Sequence, residues 1–181
     1  MFNKKIAKDK INTWFVTGAS SGVGHEICKQ LLENGYNVVA TARRIPDFKH
    51  ENALCLSCDV TNSQSIKTAM DEGIKRFGSI EVLSNNAGIS SYLTVEQETK
   101  ENMRNVMETN FWGSYNTIYE FLPYFRQHHN GTIINNTSEA GIIPRAFGGA
   151  YCSSKHALEG LSSVLWHEAQ TFCRVMTFEL S

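Results

Sequence analysis

This sequence is short of several things, and each shortage excludes a class of protein. It has almost no net charge: 17 Lys and Arg stand against 18 Asp and Glu, leaving −1 over 181 residues. No basic patch is implied, so nucleic acid is not expected as a partner. No run reaches the roughly 18 apolar residues of a membrane span, so no membrane partner is expected either. The opening MFNKKIAKDKIN is basic, but no apolar stretch follows it, so it does not read as a secretory signal. Internal repeats, low-complexity tracts and linkers are missing. The remainder is ordinary, 41% hydrophobic and 19% charged. It reads as a single cytoplasmic domain over 1–181 with enough chain for a real core.

Cysteine is sparse and odd in number: Cys28, Cys55, Cys58, Cys152 and Cys173. A disulfide framework favours an even count in a short secreted chain. Cys55 and Cys58 form a CxxC, but ALCLSCDV reads as a buried strand, on which positions i and i+3 face opposite ways. No second Cys/His pair stands nearby to complete a zinc site. Free core thiols and no metal are the expectation.

Apolar, β-rich runs alternate with helical patterns. Strands are predicted at Thr13 to Gly18, Tyr36 to Ala42, Ala53 to Val60, the IEVLSNNAG segment, Gly131 to Ser138 and Cys173 to Glu179. Helices are predicted over His25 to Asn34, closed by Gly35, and over Ser63 to Phe77, with Thr61 or Asn62 as N-cap and Gly78 as stop. Two longer helices follow, Glu98 to His128, kinked or ended near Pro123, and Tyr151 to Gln170. Such alternation implies a parallel sheet covered by helices on both faces, and right-handed crossovers make it a doubly wound Rossmann arrangement in three layers.

Between the first strand and first helix lies Thr17-Gly18-Ala19-Ser20-Ser21-Gly22-Val23-Gly24. A phosphate-binding turn needs this context: one glycine for the tight turn, one for backbone approach to a pyrophosphate, one for close helix packing. The helix N-terminus adds unpaired donors and the positive dipole end. Its GxxxGxG spacing resembles the nucleotide turn of short-chain dehydrogenases. The resemblance implies that Ser20 and Val23 also contact the cofactor.

The residue closing the second strand separates NAD from NADP. An acid there would bind the ribose hydroxyls and repel a 2′-phosphate. Here Arg43 and Arg44 follow Thr41-Ala42, and a guanidinium pairs with phosphate in bidentate fashion. NADP(H) is expected over NAD, with Arg43 the first candidate. Many NADP-using relatives also carry a basic residue just before the second glycine, where this chain has Ser21. By the resemblance, Asp59, beside Val60 at the end of the third strand, bonds the adenine amino group. An N-cap or turn aspartate is the plainer alternative. By the same resemblance, Asn86 and Gly88 of the Asn-Asn-Ala-Gly segment lie beside the adenosine ribose, and Ala87 between them belongs to the cofactor-binding set.

Tyr151 and Lys155 stand at i and i+4 on one helix face. A lysine ammonium favours a nearby phenolate, the tuning that a general acid/base needs. Ser138 ends the fifth strand, where open α/β sheets hold ligands. Ser138, Tyr151 and Lys155, with Asn110 upstream, resemble the catalytic set of the short-chain dehydrogenase/reductase family from about Thr13 to Glu179. The resemblance implies hydride transfer between NADP(H) and a small-molecule carbonyl or secondary alcohol. Tyr151 moves the proton, Ser138 holds the substrate oxygen, and Lys155 tunes the phenol and binds the nicotinamide ribose. Asn110 holds a bent helix segment and a water in the proton relay. It also implies a homodimer or homotetramer through the two long helices, whose Phe111, Tyr115, Tyr119, Leu161, Leu165 and Trp166 supply apolar surface; ordinary packing on the sheet takes part of it.

The chain departs from the family after its sixth strand. Relatives run to about 250 residues and continue into a Pro-Gly turn, a substrate loop and a seventh strand, so the fold reads as truncated, a fragment of a longer protein. Ile142, Ile143, Pro144, Phe147 and Tyr92 are expected to line an apolar substrate pocket. Two other readings compete. A non-catalytic dinucleotide-binding protein would not need Ser138, Tyr151 and Lys155. A sugar-nucleotide epimerase or dehydratase would usually carry a GxxGxxG turn and a longer C-terminal domain.

Overall fold

The structure, a computed structural model, describes residues 12–180; the basic opening stretch before Asn12 lies outside the described residues. Six strands form one sheet: β1 (Thr13–Thr17), β2 (Asn37–Ala42), β3 (Ala53–Ser57), β4 (Val82–Asn85), β5 (Thr132–Ser138) and β6 (Arg174–Leu180). Every pairing is parallel and the order is β3-β2-β1-β4-β5-β6. Five α-helices make the crossovers: α1 (Gly22–Glu33), α2 (Ser63–Phe77), α3 (Lys100–Met107), α4 (Gly113–His128) and α5 (Gly149–Ala169). This is the predicted doubly wound arrangement. The chain steps outward from β1 to β3 and then returns to β4 on the other side of β1. The loops after β1 and β4 therefore diverge, leaving a crevice at the strand carboxyl ends.

Strand alternation divides the core. Phe15, Val39, Leu83 and Ile133 face α2, α4 and α5, where Phe121 packs at 5.0 Å from Phe15 and 5.6 Å from Phe125, ring centre to ring centre. Each such pair adds about 0.5–1.5 kcal/mol beyond its buried area. Val16, Val38 and Ala40 point the other way, onto Cys28 and Leu32 of α1. Cys55, on β3, belongs to the α1 side, and Cys58, just past the strand end, to the other. All five cysteines are free.

Several boundaries differ from the sequence reading. β3 stops at Ser57 because Asp59 turns the chain: its Oδ1 accepts from the Thr61 amide at 3.0 Å and the Thr61 hydroxyl at 2.8 Å. Asn62, not Thr61, caps α2 by accepting from the Ser65 amide. α1 begins three residues early, at Gly22, so the glycine turn runs straight into the helix. The predicted helix from Glu98 to His128 is two helices joined by a π-helical turn, Glu108–Trp112. Pro123 does not end α4. It lies with Tyr119, four residues earlier, on the exposed side, so the carbonyl that loses its partner is offered to water. Helical cover is also uneven: among the described residues α1 alone packs on the second face. There Met176 and Phe178 of β6 remain 53% and 51% exposed.

On the long helices, Leu165 is buried and Leu161 packs against the core, so packing on the sheet takes these two. Tyr115, Tyr119 and Trp166 stay exposed, joined by Trp112. No described helix is long and apolar enough to cross a membrane.

Candidate active site

The turn after β1 is held by what surrounds it. Gly18 has φ +68°, and a Cβ there would stand 2.8 Å from the Ala87 Cα. Gly24 lies buried beneath the turn, where a Cβ would meet the Gly18 carbonyl oxygen at 2.5 Å and the Asn86 amide nitrogen. Gly22, with φ +58°, opens onto free space. The Ser21 side chain does not cap α1, so the first amides of that helix keep their donors for an anion.

β4 pins this turn from below. The Thr17 hydroxyl accepts from the Asn86 and Ala87 amides, both at 3.0 Å. Asn86 Nδ2 donates back to the Thr17 carbonyl at 3.1 Å, and Asn136 Nδ2 donates to Asn86 Oδ1 at 2.8 Å. The sequence reading assigned no role to Asn136. The available signal was the polar run Asn135-Asn136-Thr137 inside an otherwise buried strand, because buried polar groups demand partners. Asn135 answers the same demand, accepting from Asn85 at 2.9 Å and donating to Ser162 at 2.8 Å.

Above the divergence of β1 and β4 lies a cavity of about 1010 Å³. One wall is the glycine turn, from Gly18 and Ser20 through Ser21 and Gly22 to Val23. Arg43 and Arg44 form its rim, and Arg44 Nη2 donates to the Ser20 carbonyl at 3.4 Å. Asp59 and Val60 follow, then Asn86, Ala87 and Gly88, and finally Tyr151 and Lys155. Of the residues expected to touch a dinucleotide, Gly24 alone lies outside the lining, packed underneath instead.

Tyr151 and Lys155 sit on the first turns of α5. Lys155 is only 5% exposed; its ammonium donates to the Asn136 carbonyl at 2.7 Å and lies 5.5 Å from the centre of the Tyr151 ring. Burial draws its pKa down to about 8, against an opposing pull from the Glu159 carboxylate. Asn110, fully buried in the π-helical turn, accepts from the Ile89 amide at 2.8 Å and donates to the Ile89 carbonyl at 2.9 Å. It also donates to the Ser154 hydroxyl at 3.0 Å, which in turn donates to the Tyr151 carbonyl at 2.7 Å. Asn110 thus ties the loop after β4 to the helix bearing Tyr151. Ser138 stands apart. Its hydroxyl donates to the Leu180 carbonyl at 3.0 Å and accepts from the Ala140 amide at 3.2 Å, and it does not line the cavity.

The expected apolar substrate pocket is not formed among the described residues. Ile142, Ile143, Phe147 and Tyr92 are 54%, 58%, 60% and 79% exposed, Pro144 is exposed too, and none of them borders the cavity. They occupy segments held by contacts among their own neighbours: Ser91 donates to Glu98 at 2.6 Å, and Arg145 pairs with Glu139. Among the described residues no group of three His, Cys, Asp or Glu side chains could hold a metal ion.

Comparison with known proteins agrees with this geometry. The short chain dehydrogenase family profile matches residues 12–179. A 3-ketodihydrosphingosine reductase of Bacteroides thetaiotaomicron is 38% identical over 157 residues, covering 87% of this chain and 58% of that protein. The crystal structure of a short-chain dehydrogenase from Streptomyces avermitilis superposes with a TM-score of 0.85 at 31% identity, over 94% of this chain and 65% of that one. A Burkholderia phymatum short-chain dehydrogenase/reductase, solved in complex with NAD, shares the fold at a TM-score of 0.85 and 21% identity, over 93% of this chain and 64% of that one. The chain therefore spans about six-tenths of the length of these relatives. From the crevice at the strand reversal to the extent of these matches, the observations agree: the chain belongs to the short-chain dehydrogenase/reductase family.

Proposed function

We propose that this chain binds NADP(H) and transfers hydride between it and a carbonyl or secondary alcohol, with Tyr151 moving the proton. The observation that carries the reading is one continuous cavity bounded at one end by the glycine turn and the two arginines, and at the other by Tyr151 and Lys155. The residues present fit a dinucleotide. The uncapped start of α1 and the open Gly22 suit a pyrophosphate. Arg43 and Arg44 suit a 2′-phosphate; among the described residues neither has a carboxylate ion-pair partner. Asp59 spends one carboxylate oxygen on Thr61, leaving the other to accept from an adenine amino group.

When bound, the cofactor supplies the hydride at its nicotinamide ring. The chain's residues do the rest. Tyr151 gives its phenolic proton to the substrate oxygen and recovers it in the oxidative direction. The Lys155 charge stabilises the negative charge that develops on the phenol, and its N–H groups not given to Asn136 are available to ribose hydroxyls. For Ser138 to meet the substrate oxygen, its hydroxyl must leave the Leu180 carbonyl and turn toward the cavity, which it does not line here. Asn110 keeps the π-helical turn against α5 and completes the proton relay. The name of the Bacteroides relative is that of a ketone reductase, in keeping with a carbonyl substrate. The exposed Trp112, Tyr115, Tyr119 and Trp166 further favour pairing of α4 and α5 with a second copy.

The test is an NADPH fluorescence titration followed by a panel of carbonyl substrates, on the natural protein and on Tyr151→Phe. NADPH is expected to bind both proteins, with oxidation lost only in the variant, by about 10²–10⁴-fold. Binding with no turnover by the natural protein on any carbonyl would leave a dinucleotide-binding protein instead. Undiminished turnover by the variant would remove Tyr151 from the chemistry.

A further inference from the structure

The two rim arginines open a stretch without regular structure, 43–52, between β2 and β3. An exposed arginine on such a stretch holds a phosphate well only if its backbone is held first, because ordering a loop on binding subtracts from affinity. Both ends are anchored: Ser57 Oγ donates to the Arg43 carbonyl at 3.1 Å, and Val38 donates its amide to the Asn52 carbonyl at 2.8 Å. The middle is anchored by an aromatic contact. The Phe48 ring stacks on the His25 ring, 4.6 Å between centres and 27° between planes. His25 follows Gly24 directly, in the first turn of α1, and its amide donates to the Ser21 carbonyl. Phe48 is half-buried, packs against the α1-side core, and its carbonyl takes a weak bond from the Cys55 thiol. The stack thus joins the strand-end loop carrying Arg43 and Arg44 to the helix that begins at the glycine turn.

We propose that Phe48 and His25 are positioning residues for cofactor choice: their stack holds the Arg43–Arg44 backbone at a fixed distance from the start of α1, so that a 2′-phosphate and a pyrophosphate are met together. The inference rests on the NADP(H) reading above. Neither ring borders the cavity, so both act through the arginines rather than on the ligand. Loss of the stack should weaken recognition of the 2′-phosphate and leave recognition of the 5′-phosphate intact, a split that general destabilisation would not produce.

The probes are adenosine 2′,5′-bisphosphate and adenosine 5′-monophosphate, titrated calorimetrically into the purified protein and into Phe48→Ala, His25→Ala and Phe48→Tyr. The natural protein should prefer the bisphosphate. Either alanine variant should lose about tenfold of that preference, the worth of one charge-assisted bond, with monophosphate affinity unchanged; Phe48→Tyr, which keeps a stacking ring, should retain it. The two alanine variants remove the contact from opposite sides, so misfolding of one leaves the other to decide. A natural protein with no preference for the bisphosphate would overturn this inference together with the NADP(H) reading. A preference that survives in a folded alanine variant, or falls equally for both probes, would overturn this inference alone.

Discussion

The Lys155 ammonium donates to the main-chain carbonyl of Asn136 across 2.7 Å, from a side chain that water scarcely reaches. A carbonyl dipole is not a counter-charge, so burial dominates and the pKa falls from 10.5 to about 8 despite Glu159. The folded chain therefore releases this proton at lower pH than the unfolded chain. Between about pH 8 and about pH 10.5 the unfolded state binds more protons, and this group makes stability rise with pH. Relative to Lys155→Met, the natural protein should gain on the order of 3 kcal/mol across that window, read from urea unfolding at its two ends. Identical pH dependence in both proteins would refute it. If the ammonium is needed for turnover, activity should fall as pH rises through about 8.

Asn110→Leu keeps the branched shape and heavy-atom count but removes the amide that meets Ile89 and Ser154. The Ile89 amide and carbonyl lose their side-chain partner inside the fold. We expect a loss of about 1–3 kcal/mol, seen as a lower urea midpoint, with faster hydrogen exchange at the Ile89 amide. Unchanged exchange there would mean that the loop is held by something else.

Gly24→Ala places a methyl 2.5 Å from the Gly18 carbonyl oxygen, a backbone atom that cannot swing aside. The expected cost is about 1–3 kcal/mol of stability, and nucleotide affinity should fall with it, because relief of the clash displaces the turn. A thermal melt and an NADPH titration on the same sample check both.

Arg43→Glu replaces a donor to the 2′-phosphate by a group that repels it. NADPH affinity should fall by about ten- to a hundredfold, with NADH affinity held or improved. Equal losses for both cofactors would show that Arg43 supports the loop rather than the phosphate.

The alternation of strands and helices, and many of the residues at the cavity wall, were legible because they rest on local chemistry. Gly18 and Gly22 occupy conformations that favour glycine, and Tyr151 and Lys155 sit a helical turn apart whatever surrounds them. The loss of an i→i−4 ladder at Glu108–Trp112 left no mark in the apolar period, so one helix was read where two stand. Asn136 was missed because its partners, Asn86 and Lys155, come from distant parts of the chain. The exposure of Ile142, Ile143 and Phe147 was missed for the opposite reason: their composition is that of a pocket, and only the placed loop shows them facing water.

The reversal of strand order between β1 and β4 has a consequence for how binding and folding are coupled. The first half of the chain contributes the phosphate turn, and α5 contributes the opposite end, so a chain in which either part is unfolded cannot present both. A dinucleotide bridging them would recognise the finished sheet alone. Its binding energy would then accrue wholly to the native ensemble, and protection against proteolysis would extend to β2 and β3 as much as to the cavity itself.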